Sequence, residues 1–223
     1  MFSAFFYKEW VKLRLWWTLL AVANLALVAY IALRLRYVGE LYDGVVIWSN
    51  WIYKAYQFYG RYETVPPLLG LALGVLQFLP EVQNHRVRLV LHLPLGEERA
   101  MAIHLAIGLV LLSLLVLPAL ALFAAVGALY LPHEFQTNLL LTAAPWTLAG
   151  YAGYLLTAAA LLEASWLKRS LILLLGAASL RLFFQEPFYE GYTRLLPALA
   201  LWTSCLFALP LFSAYRYRKG LAP

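Results

Sequence analysis

Between Ala100 and Pro132 the chain runs for 33 residues with no formal charge, only the neutral His104 breaking the apolar pattern. A bilayer's hydrocarbon core is about 30 Å thick and is crossed by about 20 helical residues, so a run of this length fits lipid rather than the interior of a soluble domain. Four other runs repeat the pattern: Leu15 to Leu33 (19 residues), Val65 to Pro80 (16), Phe135 to Leu162 (28) and Leu195 to Tyr215 (21). A further stretch, 164–184, joins them if Lys168 and Arg169 snorkel at its start and leave Ser170 to Leu180 as the apolar centre. Only 13% of the residues are charged and 64% are hydrophobic, against about 25% charged in a typical soluble domain.

These runs predict an all-α, polytopic membrane protein forming one transmembrane unit over residues 1–223, with six spans at 15–33, 65–80, 100–132, 135–162, 164–184 and 195–215. The basic segment before the first span could imitate a signal peptide. That run, however, is too long for an h-region, is rich in Trp and is followed by further membrane segments. Pro66 and Pro67 suit the first turn of a helix, where no backbone donor is lost. Pro118 is a cause for a kink in the longest run, and Pro145 lies inside the next. The His133-Glu134 pair divides these two runs into a helical hairpin.

Charge placement orients the spans. With both termini on one side, that side carries eleven basic and five acidic residues, a net of 11 − 5 = +6, and the other carries six of each, a net of zero. The basic side is expected to be cytoplasmic. Because the excess charge flanks membrane runs, it gives no support to nucleic-acid binding.

Several chemistries have no motif here. There is no G-x-x-x-x-G-K-[ST] phosphate loop, no H-E-x-x-H and no G-x-S-x-G. Cys205 is the single cysteine, and the four histidines fall on both sides of the expected membrane, so no metal site is expected. Every Asp and Glu falls at a span end or in a loop, which weakens the case for an ion-driven transporter. No nucleophile and base share a depth, which makes an intramembrane enzyme the weakest reading.

Three segments outside the spans carry patterns. From Glu81 to Pro94, Asn84, Arg88 and His92 recur on one helical face beside His85, while Val82, Leu89 and Leu93 recur on another. This amphipathic connection either receives a soluble partner on the cytoplasmic surface or simply joins two spans with basic anchors. In residues 1–14, Phe2, Phe6, Trp10 and Leu13 share one face and Lys8 and Lys12 another, the pattern of an interfacial helix or of a basic flank to the first span. The stretch Arg34 to Thr64 holds nine aromatics, with Trp48, Trp51, Tyr56 and Tyr59 among them. It reads either as an outer gate or as an aromatic anchoring belt. Within the second span, Gly70-x-x-x-Gly74 lets another helix approach closely, inside the subunit or across a dimer. His104 is expected to be a hydrogen-bonded structural histidine, and Arg181 to form an outer charge cluster with Glu186 and Glu190.

The order Glu81, then Leu89-Val90-Leu91-His92-Leu93-Pro94, then Arg99, together with the opening Phe6-Tyr7-Lys8-Glu9-Trp10-Val11-Lys12, resembles the membrane subunits of type-2 ATP-binding cassette exporters. Where those permeases carry a small Gly-Thr-like turn, this chain has Asn84-His85-Arg86-Val87. The resemblance implies six spans with both termini inside, an N-terminal interfacial helix, and a coupling helix in which Glu81, His85, Arg86, Arg88, His92 and Pro94 meet a cytosolic ABC ATPase. It also implies a second permease subunit, as a homodimer or heterodimer, in a bacterial cytoplasmic (inner) membrane. ATP and magnesium would belong to the ATPase, with no cofactor in this chain, and the permease would not itself be an enzyme. The alternative built from the same helices is a membrane scaffold or assembly factor that transports nothing.

Overall fold

In the computed structural model, residues 2–41, 59–83, 97–130, 133–185 and 191–218 are described, and all of their regular elements are helical. In chain order these are α1 (Phe2–Leu41), α2 (Val65–Gln83), α3 (Glu97–Tyr130), α4 (His133–Leu162), α5 (Trp166–Arg181), α6 (Leu196–Leu206) and α7 (Ala208–Arg218). Short 3-10 turns at Gly60–Tyr62 and Leu182–Phe184 precede α2 and follow α5.

Among the described residues, five stretches are long and apolar enough to cross a membrane: Phe5–Val38, Gly60–Gln83, Arg99–Leu129, Thr137–Leu162 and Leu196–Arg216. The crossing expected over 164–184 is not among them. Helix α5 has 16 residues, about 24 Å at 1.5 Å per residue, short of the hydrocarbon thickness. Arg169, expected to snorkel, instead turns back to cap α4, donating from Nη2 to Glu163 O at 2.7 Å and from Nε to Ala160 O at 3.1 Å. These are the carbonyls a helix end leaves without intrahelical partners.

Two other boundaries differ from the sequence expectation. The interfacial helix at 1–14 and the span at 15–33 are one unbroken helix of 40 residues, α1, which extends into the stretch expected to be an outer loop. Charges at its ends do not interrupt it because helix geometry has no quarrel with Lys, Arg or Glu, and Arg36 and Glu40 pair at 2.9 Å one turn apart. The expected span 195–215 is divided at Phe207 into α6 and α7. Pro210 accounts for the break: it has no N–H for the carbonyl of Leu206 and its ring crowds that group. Helices α3 and α4 run on through Pro118 and Pro145.

Helix α4 lies at the centre, packed on α2, α3, α5, α6 and α7, with its closest seam against α2. That seam is glycine-lined. A Cβ at Gly70 would strike the backbone oxygen of Gly150, one at Gly150 would lie 2.8 Å from Pro66 O, and one at Gly74 would lie 2.9 Å from the Thr157 side chain. Gly70 and Gly74 thus sit where two helices of the same chain meet backbone to backbone. Helix α1 lies against α3 and α2, where Trp17 Nε1 donates to Leu111 O at 3.0 Å and Asn24 Nδ2 to Leu115 O at 2.9 Å. The buried core includes Leu73, Leu105, Leu111, Leu112 and Ala158.

Candidate functional site

Helices α1, α2, α3 and α4 bring ionisable side chains together beneath the end of the bundle where α1 begins. Glu9 is fully buried, and Glu81 and His104 are almost so, at 2% and 4% exposed. Their positions follow from helical register. Glu9 and Lys12 are three residues apart on α1 and share a face, Gln77 and Glu81 are four apart on α2, and His104 enters from the second turn of α3.

Lys12 organises the cluster. Its Nζ lies 2.8 Å from Glu9 Oε2, 3.1 Å from Glu81 Oε1 and 3.0 Å from the backbone oxygen of Gln77. One ammonium therefore ties α1 to the last turns of α2. Lys8, half-exposed at the rim, stands 3.3 Å from Glu81 Oε1 and 3.9 Å from Glu9 Oε1. His104 Nδ1 faces Glu9 Oε1 at 3.7 Å, and its ring meets Phe78 edge-on at 5.2 Å.

Deeper in, uncharged groups continue the network. Gln77 Nε2 donates to His104 O at 3.0 Å, and the Tyr154 hydroxyl donates to Gln77 Oε1 at 2.8 Å, with Leu105 O at 3.3 Å. Gly108 makes this possible, because a Cβ there would occupy the space of the Tyr154 hydroxyl and Gln77 Oε1. A second ionic contact at the same end holds α7 to α4: Glu163 Oε2 receives Ser213 Oγ at 3.2 Å and lies 3.4 Å from Arg216 Nη1. Among the described residues, no three His, Cys, Asp or Glu side chains are arranged to hold a metal ion. Between Glu9 and Glu81, the position a cation would take belongs to the Lys12 ammonium.

Of the residues singled out from sequence, Glu81 enters this cluster, as do Lys8 and Lys12. Phe6 and Trp10 pack against the core, and Trp10 meets Trp17 edge-on at 5.4 Å. His85, Arg86, Arg88, His92 and Pro94 lie outside the described residues, as do Trp48, Trp51, Tyr56, Glu186 and Glu190. Tyr59 is buried against Trp146, ring centroids 5.7 Å apart, as part of the packed interior. Sequence reasoning placed every carboxylate at a span end or in a loop. Glu9, Glu81 and Glu163 do lie near helix ends, yet each is buried between helices. The signal for Glu9 is its i,i+3 spacing from Lys12 and its place at the edge of the face that carries Phe6, Trp10 and Leu13. Gln77 and Tyr154, polar groups inside apolar runs, carried a comparable signal.

Farther along the bundle, α3, α4 and α6 border an open, mostly apolar groove of ≈ 450 Å³ lined by Leu109, Leu148, Tyr151, Leu155, Thr203 and Phe207. Its hydroxyls are already engaged, Tyr151 with Ser113 at 2.8 Å and Thr203 with Leu199 O at 2.8 Å. No family model, curated protein or solved structure matches the chain.

Proposed function

We propose that this chain is the membrane-spanning permease subunit of an ATP-binding cassette exporter, paired with a second permease subunit and driven by a cytosolic ATPase. The observation that carries the reading is the position of Glu81. It stands in the last turn of α2 at the head of the amphipathic connection Glu81 to Pro94, and it is bound through Lys12 to α1. A push on the connection would reach α1 and α2 together rather than fray the end of one helix. The absent phosphate loop assigns the energy source to another chain. The basic residues on either side of that connection support a cytoplasmic position for it, where a soluble ATPase could reach it.

Co-expression with candidate cytosolic ABC ATPases tests this directly. A stable complex is expected, with ATP hydrolysis that responds to the membrane subunit, and Arg88→Glu or His92→Ala should weaken assembly several-fold in pull-down. Transport at full rate by a preparation free of any ATPase chain would refute the reading.

A further inference from the structure

The buried cluster at the head of α1 is short of hydrogen-bond donors. Lys12 donates to Gln77 O and Glu81 Oε1 and meets Glu9 Oε2 only as an ion pair at 2.8 Å, so one ammonium is divided among three oxygens. The Tyr154 hydroxyl is committed to Gln77. In this cluster both Glu9 oxygens, Glu81 Oε2 and His104 Nδ1 are buried, and none takes part in a hydrogen bond. Two of these, Glu9 Oε1 and His104 Nδ1, face each other at 3.7 Å, just beyond bonding distance.

Charge gives the same answer. Glu9 and Glu81 contribute −2 and Lys12 +1, so the enclosed set sums to −1. Lys8 is the only further cation near it among the described residues, and with its side chain 43% exposed it is largely solvated by water. An uncompensated buried charge is strongly unfavourable, and ionisable groups enclosed within membrane helices commonly mark proton or ion sites. One added proton neutralises the enclosed set and joins the two facing orphan atoms.

We propose that Glu9 and His104 form a proton-binding site, in which one exchangeable proton taken from water at the Lys8 rim is shared between Glu9 Oε1 and His104 Nδ1. No other bond forms or breaks. The charge-assisted hydrogen bond draws the two atoms from 3.7 Å towards about 2.8 Å and tightens α1 against α3. The tightly docked arrangement of α1 on α3 is the one that holds the proton. The groups facing this pair are Lys8 and Lys12 on α1, Glu81 on α2, and Tyr154 on α4. The site stands whether or not the chain works with an ATPase.

The test uses the full chain in lipid nanodiscs with ¹⁵N-labelled histidine, the His104 signal being identified by its loss in His104→Gln. The ¹⁵N shifts of the His104 ring, followed from about pH 3 to pH 9, should change as the shared proton is bound. Glu9→Gln should weaken proton affinity about tenfold or more, moving the midpoint down by at least about one pH unit. Lys8→Gln, at the half-exposed rim, should move it up. Should Glu9→Gln fail to fold, Lys8→Gln carries the test alone. A His104 signal that stays constant across the range, or a midpoint that is insensitive to these variants, overturns the proposal.

Discussion

At the end where α1 begins, Glu9, Lys12, Glu81 and His104 meet below the surface; in the opposite half, the helices close over Tyr59, Tyr62, Phe123 and Trp146. The aromatic half is held by area and ring geometry, with Tyr62 meeting Phe123 edge-on at a centroid distance of 4.7 Å. Such contacts tolerate small displacements because no single atom is indispensable. The ionic half behaves differently. Its groups were moved out of water and are balanced by one another, so that removing a single partner exposes the desolvation cost of the rest. The same helices are therefore joined adaptably in one half and all-or-none in the other.

Substitutions in each half sharpen that contrast. Lys12→Met should have the largest effect, leaving Glu9 and Glu81 without their shared cation. Its side chain keeps 19% exposure, which puts the expected loss near the lower end of the range for a broken buried pair, about 3 kcal/mol, read as unfolding free energy in detergent. In the aromatic half, Phe123→Leu removes the ring contact with Tyr62 while keeping much of the volume. A loss of about 1 kcal/mol is expected in the same assay. Arg36→Ala breaks a pair whose two side chains are each 64% exposed, and should change stability by no more than about 0.5 kcal/mol, less still in high salt. A Lys12→Met loss no larger than that of Phe123→Leu would erase the distinction between the halves.

The long helices were legible in the sequence because the signal is local: an uncharged run of sufficient length, bounded by charge, reads the same in the chain as in the bundle. Cutting the first helix at residue 14 relied on Arg14 as a boundary, but charge marks where lipid ends rather than where a helix ends. The 164–184 stretch misled for the opposite reason. Its composition suits a span, yet Arg169 is claimed by the carbonyls that close α4. The ionic cluster was hidden because its members come from separate helices, Glu9 and Glu81 being 72 positions apart in sequence, and periodicity on one helix says nothing about what faces it. The Gly70-x-x-x-Gly74 pair announced a close approach without naming Gly150 as the surface approached.

Helix α1 is a stiff rod of 40 residues, about 60 Å long, while the bilayer it suits is roughly half as deep. It is pinned by Lys12 near its start, and its apolar window is only 22% buried, against 67% for α4. A continuous rod that is also fastened to α3 at Trp17 and Asn24 carries a tilt at its start along its whole length. Leu41 lies 29 residues beyond Lys12, about 43 Å, so a tilt of about 5° about Lys12 would carry Leu41 through about 4 Å. Sub-ångström rearrangements among Glu9, Lys12 and His104 are thereby within reach of being felt on the far side of the membrane.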